Sequence, residues 1–175
     1  MKKILYIVLG VLAVLAMAFF GLLFYTKSHS PTATAETSEN GLNIKVEYCQ
    51  PSKKGREVFG KLVPFDKVWR TGANKSATIT FGQDTKIGDK QLKKGTYSLF
   101  TIPTAGKWTI IINSIVGDWG AFSYKQDKDV LRVEVESKSA EAVTEMFTIT
   151  FEKADKTTNM VLAWGKTRTT VPMNQ

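Results

Sequence analysis

Histidine is almost absent from this chain. The single copy, His29, follows a long apolar run and precedes the region that carries a folding pattern. That removes Ser-His-Asp, Cys-His and His-rich zinc chemistry together from the folded part. Cysteine is equally scarce: Cys49 stands alone, so no intrachain disulfide forms. Cys49 lies well past the apolar run and has no small-residue box before it, which excludes a lipid anchor there. It reads as a partly buried structural thiol. No run of five or more cations occurs, and no Arg/aromatic nucleic-acid signature is visible, so no nucleic-acid partner is expected. No convincing 3.6-residue period appears after Tyr25, which excludes helical bundles and βαβ folds. No cofactor or metal motif is present, and no catalytic residue is assigned.

What is present divides the 175 residues unevenly. Met1-Lys2-Lys3 opens the chain, and Ile4 to Tyr25 follows without a single charge. A hydrocarbon layer about 30 Å thick takes ~20 helical residues, so this run is long enough to span. A secretory signal core is shorter, ~7–15 residues. An uncleaved single-pass anchor is therefore expected, with secretion after cleavage as the alternative. Lys2 and Lys3 stay in the cytoplasm by the positive-inside rule. The remainder is then exported from the inner membrane to the periplasm. The formal net charge is +8, of which Lys2, Lys3 and Lys27 flank the apolar run. The rest is scattered and mildly cationic, which favours an anionic surface or ligand.

The boundaries expected are an anchor over 1–27, a flexible Ser/Thr/Ala-rich linker over 28–40, a folded domain over 41–172 and a tail over 173–175. From Gly41 the hydrophobic period is two. Leu42, Ile44, Val46 and Tyr48 alternate with Asn43, Lys45 and Glu47. Further short strands are expected at Thr78–Phe81, Thr85–Ile87, Gln91–Leu92, Thr96–Ile102, Trp108–Asn113, Asp129–Glu136, Met146–Glu152, Asn159–Trp164 and Thr167–Val171. Ser139–Glu145 has room for one helical turn. Ser52 to Lys67 reads as a long ordered loop, pinned by Val58, Phe59, Leu62, Val63 and Phe65. The fold class is all-β: an antiparallel, jelly-roll-like β-sandwich preceded by one transmembrane helix.

Two runs concentrate the residues suited to recognition. Val68-Trp69-Arg70-Thr71-Gly72-Ala73-Asn74 combines a rigid aromatic, a fixed cation, a permissive glycine and an amide. Arg70 presents a planar donor fork suited to carboxylate, phosphate or sulfate. Set against this, Arg70 pairs internally with Glu47, Asp66 or Asp129, and Trp69 is core. Lys53-Lys54-Gly55-Arg56 is either an anion-binding nest or a solvated turn. Of the two arginines, Arg70 is expected to be structural and Arg56 to face a ligand. Trp119-Gly120-Ala121-Phe122-Ser123-Tyr124 offers a stacking platform or a core cap. Asp118, Asp127 and Asp129 lie near one another in sequence and are candidate carboxylates for glycosidase chemistry, but Asp127 and Asp129 read more easily as loop residues before a strand. The candidate ligand-binding set is Lys54, Arg56, Trp69, Arg70, Asn74, Trp119 and Tyr124.

Tyr48-Cys49-Gln50-Pro51-Ser52, Leu62-Val63-Pro64-Phe65, Val68-Trp69-Arg70-Thr71-Gly72-Ala73-Asn74, Gly95-Thr96-Tyr97-Ser98-Leu99-Phe100-Thr101-Ile102-Pro103, Trp119-Gly120 and Asp129-Val130-Leu131-Arg132-Val133 occur in the order of one known family. With Lys54-Gly55-Arg56 and Trp108 they make the chain resemble DUF2911, a bacterial envelope family of unknown function, over about residues 41–172. That family's pattern has Ser and Arg where this chain has Cys49 and Gln50. The resemblance implies that any task of the family arginine falls here to Arg56 or is weakened. It implies no substrate. The functions ranked from these residues are three: a membrane-anchored module binding a small anionic or envelope-derived molecule, a scaffold in an envelope assembly, and last a histidine-independent hydrolase. Oligomeric state leaves no mark in the sequence.

Overall fold

A computed structural model of the chain describes every residue except Met1, Asp118 and Ser123; of Leu5 and residues 23–29 it describes the backbone only. Asp118 and Ser123, singled out above, therefore lie outside the described residues. Helix α1 runs from Lys2 to His29. Its segment Lys2–Leu22 is long and apolar enough to cross a membrane, and none of it is buried against the protein.

The rest is antiparallel sheet, as the period-two alternation implies. The strands are β1 (Thr32–Thr37), β2 (Ile44–Cys49), β3 (Ala77–Phe81), β4 (Thr85–Ile87), β5 (Lys90–Leu92), β6 (Gly95–Pro103), β7 (Lys107–Asn113), β8 (Asp129–Ala154) and β9 (Thr157–Asn174). Their order is β1-β2-β3-β6-β7-β8-β9-β4-β5. The opening stretch of β8, Asp129 to Glu136, pairs with β7, and from Ser137 onward the strand pairs with β9 instead. One strand therefore passes from one layer into the other, giving a sandwich-like all-β fold. The passage coincides with register shifts between Ser139 and Thr148, where extra residues bend the strand. Ser139–Glu145 thus belongs to the strand rather than forming a helical turn. Asp129–Glu136 and Met146–Glu152 are two stretches of one strand, as are Asn159–Trp164 and Thr167–Val171.

The two layers meet across Tyr48. Its hydroxyl accepts from the Ile149 amide at 2.9 Å and lies 3.3 Å from the Ile149 carbonyl. Burial pushes the Tyr48 pKa up, with the bond to the Ile149 backbone pulling it back. Between the layers Trp69, Trp108, Trp164, Phe59 and Phe147 form one aromatic cluster, with ring centroids 4.7–6.2 Å apart. The geometry is mostly edge-to-face, the arrangement the ring quadrupoles favour.

Three expectations change. The linker expected over 28–40 is occupied by the end of α1 and by β1, which pairs with β2 from Thr32↔Cys49 to Thr37↔Ile44. Ala35 and Thr37 point inward and are buried. Side chains this small carry almost no hydrophobic signal, so their alternation does not stand out. Only Ser30 and Pro31 separate helix from strand. The tail expected at 173–175 is also ordered: Met173 pairs with Ile87 and is buried, and Gln175 Nε2 donates to the Gly41 carbonyl at 2.9 Å. In the long loop, Val58 and Val63 are buried and Phe59 partly so, but Leu62 and Phe65 face outward at 40% and 36% exposure.

Candidate functional site

The turn after Trp69 is held from several sides. The Trp69 amide donates to the Thr101 carbonyl at 2.7 Å, and the Thr101 amide returns the bond at 2.9 Å. The indole Nε1 donates to the Gly72 carbonyl at 3.1 Å. Ala77 N donates to the Arg70 carbonyl at 3.0 Å, so both flanks of Arg70 are fixed to the sheet. Thr71 sits at φ 54° and is fully buried. A β-branched residue in the left-handed region is strained by about 1–3 kcal/mol, and such strain gathers at ligand sites. Gly72 follows at φ +147°, where a Cβ would lie 2.9 Å from the Cys49 carbonyl oxygen. Only glycine lets this turn approach the end of β2 so closely. Asn74, at φ 60°, places Nδ2 3.8 Å from Cys49 Sγ, so its amide braces the neighbouring strand end rather than its own turn.

The second run, Ser52 to Arg56, closes on itself around an acid. Lys54 and Gly55 both have positive φ, and the Lys54 amide donates to Glu145 Oε1 at 2.7 Å. Ser52 Oγ donates to the same oxygen at 2.5 Å. The bond from Ser52 and then that from the Lys54 amide hold the Glu145 carboxyl below its ordinary range. The nest expected here exists, and its anion is the protein's own Glu145. Arg56 is similarly engaged. Its Nε donates to the Lys53 carbonyl at 2.9 Å and its Nη2 to the Ser52 carbonyl at 2.6 Å.

The two runs face one another across a cleft of about 640 Å³. Lys54, Arg56, Lys67 and Arg70 line it, and no Asp or Glu does among the described residues. Leu62, Val63, Pro64, Val68, Trp69 and Trp164 supply its apolar surface. Five of the seven candidate residues are therefore brought together: Lys54, Arg56, Trp69, Arg70 and Asn74. Trp69 is at the same time core, only 8% exposed. A smaller cleft of about 470 Å³ lies beside the same loop and shares Arg56 and Trp164.

Trp119 and Tyr124 do not line the cleft; Ala121, between them in sequence, does. Trp119 is 56% exposed and bridges Lys75 through its backbone. The Tyr124 hydroxyl donates to Asp129 Oδ2 at 2.6 Å, and its ring packs on Phe100. Burial, followed by the bond to Asp129, raises its pKa to about 12. Asp129 also accepts from Asn113 Nδ2 at 2.8 Å and lies 3.2 Å from Arg132 Nε. This cluster ties down the 114–128 loop. Asp129 is thereby engaged by Tyr124, Asn113 and Arg132, and Asp127 faces solvent beside Lys128.

The internal partner expected for Arg70 is not found among the described residues. Glu47 pairs with Lys45 at 3.0 Å, Asp129 with Arg132, and Asp66 is exposed. Arg70 is half-buried, and its Nε is buried with no hydrogen-bond acceptor. Burial lowers its pKa, with Cys49 acting in the opposite direction. Arg56 thus bonds its own loop, while Arg70 Nε lacks an acceptor among the described residues. Leu62, Pro64, Lys67 and Val68 belong to the cleft but were not among the candidates. The local signal for them is the apolar run Leu62-Val63-Pro64-Phe65 followed by Lys67 and Val68.

A family model described as "Protein of unknown function (DUF2911)" matches residues 30–173. The chain belongs to this family, and the match takes in β1 as well as the region from Gly41. No curated protein matches, and no solved structure does.

Proposed function

We propose that this protein is a membrane-anchored binding module, exported to the periplasmic side, whose cleft takes an anionic molecule with an apolar body. The observation that carries this reading is Arg70. A guanidinium stays charged at any physiological pH, and a half-buried one with no acid beside it among the described residues is unfavourable unless a ligand supplies acceptors. Its mount is strained at Thr71 and closes on Cys49 through Gly72, so the fork is presented in one position. Three further cations surround the opening, and the surface beneath them is apolar. This division of labour, charge at the rim and hydrocarbon below, matches an amphiphile better than a bare ion.

The placement rests on Lys2 and Lys3 opening α1 ahead of its apolar run, in a helix that carries no acid. They hold the start of the chain in the cytoplasm and send the domain outward. A reporter fused after Gln175 is expected to be active only outside the cytoplasm; cytoplasmic activity sinks the placement. The binding reading is tested by calorimetry on the full chain in zwitterionic detergent, against alkyl phosphates and alkyl carboxylates and their neutral alcohols. The acids are expected to bind and the alcohols not. Equal binding of both, or of neither, refutes the role given to Arg70.

A further inference from the structure

We infer that the ligand is an anionic membrane lipid, taken by its headgroup from the leaflet beside α1. This rests on the anion-binding reading above and names its source. The first ground is the length of chain between bilayer and cleft. The uncharged run ends at Tyr25, and α1 continues as helix to His29. At about 1.5 Å per helical residue, Ser30 stands roughly 8 Å beyond the apolar run. The headgroup layer on each side of a ~30 Å hydrocarbon core is about 5–8 Å deep. Ser30 is itself a wall of the cleft. Pro31, next in the chain, is pinned by its carbonyl, which accepts from the Gln50 amide at 2.8 Å. No slack remains between helix and cleft for the domain to stand away from the surface.

The second ground is the rim. Leu62 lines the cleft and faces outward. Phe122 is 91% exposed, and its ring lies 3.0 Å from where a Cβ on Gly120 would stand. Arg70 Nη1 lies 3.3 Å from the same point, so an exposed phenyl and the open guanidinium are neighbours. Exposed aromatic and aliphatic side chains beside cations are the composition of segments that rest in a bilayer interface. The third ground is charge. The exposed Lys54 and Lys67 stand at the opening with no acid among the described lining residues, as an anionic leaflet requires.

The full chain is placed in nanodiscs of phosphatidylcholine alone, or of phosphatidylcholine with one third phosphatidylglycerol. Amide hydrogen exchange is then followed, with glycerol phosphate added to the first kind as a soluble headgroup. Phosphatidylglycerol is expected to slow exchange in 62–72 and 119–122 at least fivefold. R70Q is expected to abolish that protection. K54Q/K67Q, altered only at exposed side chains, is expected to shift the lipid fraction needed several-fold, and it carries the test if R70Q does not fold. Protection by glycerol phosphate without protection by phosphatidylglycerol overturns the lipid source and leaves the anion reading standing. Protection by neither overturns both. Equal protection in the two nanodiscs, indifferent to R70Q and K54Q/K67Q, shows surface contact without headgroup recognition and overturns the inference.

Discussion

Arg56 and Arg70 line the same cleft from two corners, and they differ in what their donors meet. Arg56 is exposed, on a loop whose backbone turns back to offer it two carbonyls. That loop also encloses an acid of the protein, Glu145. Arg70 is half-buried on a strained, braced turn, and its Nε finds no acceptor. An exposed cation with partners is the ordinary condition of a soluble surface. A partly desolvated cation without an acid among the described residues is the exception, and exceptions of this kind mark binding sites. Residue type alone ranks the two arginines equally, and their surroundings separate them.

The contrast breaks most sharply at Gly72. Alanine there would meet the Cys49 carbonyl and a φ that L residues rarely adopt, so G72A is expected to lower stability by at least about 2 kcal/mol. Chemical denaturation of the full chain in detergent checks this. A loss under about 0.5 kcal/mol, the size of an ordinary surface substitution, would mean that the turn relaxes away from β2 and that Arg70 is not fixed.

Arg70→Gln is expected next. Affinity for an anionic amphiphile should fall at least tenfold, about 1.4 kcal/mol, while the melting temperature holds or rises. Loss of a buried internal pair would instead destabilise by about 3–5 kcal/mol, so a large fall in melting temperature returns Arg70 to a structural role. Arg56→Gln sharpens the comparison from the other side. It is expected to change stability by no more than about 0.5 kcal/mol and to weaken binding less than Arg70→Gln does. The reverse ranking in calorimetry refutes the assignment of roles.

Acid should separate the two corners further. The Glu145 carboxyl is held below its ordinary value, so its contribution to holding the 52–56 loop is complete above the usual glutamate pKa, about 4.3. It is lost as pH falls through the lowered folded value. Amide exchange in 52–56, corrected for intrinsic rates, should rise on acidification in the native chain, and in Glu145→Gln should be raised already at neutral pH with no such acid transition. Equal exchange in 52–56 for Glu145→Gln and the native chain at neutral pH counts against the nest. The smallest effect is expected from Cys49→Ser. The thiol lies 3.8 Å from the Asn74 amide and does not line the cleft among the described residues. Stability within about 0.5 kcal/mol and unchanged binding are expected; selective loss of binding would make the sulfur part of the site.

Strand positions were readable because Ile44, Val46 and Tyr48, or Phe147 and Ile149, alternate with polar neighbours and are in fact buried. β1 was not, because Ala33, Ala35 and Thr37 are too small to stand out from a Ser/Thr-rich linker. The continuity of β8 was hidden too. Ser139 to Glu145 lacks alternation because the strand is changing partners there, and bulged residues obey neither layer. At the site, residue types placed Arg70, Trp69 and Lys54 among the candidates. The choice between pairing and exposure lay outside sequence, since it depends on which acids the other strands bring near. Glu145, remote by some ninety residues, decides the fate of the Lys54 loop. Residue type did not separate Trp119 and Tyr124 from the residues that line the cleft, because aromatics beside glycine look alike whether they line a cleft or, like Tyr124, secure a loop to a carboxylate.

The long hairpin of β8 and β9 has a consequence for the order in which the chain assembles. Its pairings zip outward from the Ala154↔Thr157 closure, so they are local, and hairpins of this kind form in about 1–10 μs. The side chains that cover the inner face of β2 and β3 come from the same hairpin: Phe147, Ile149, Met160, Leu162 and Trp164. Strands β1, β2, β3, β6 and β7 have no opposing layer until that hairpin, with β4 and β5 on its edge, docks on them, which is the slow, long-range step. A fragment lacking residues 129–174 would hold a sheet with one bare apolar face. Limited proteolysis should therefore release peptides but no stable half, and unfolding should be a single cooperative event.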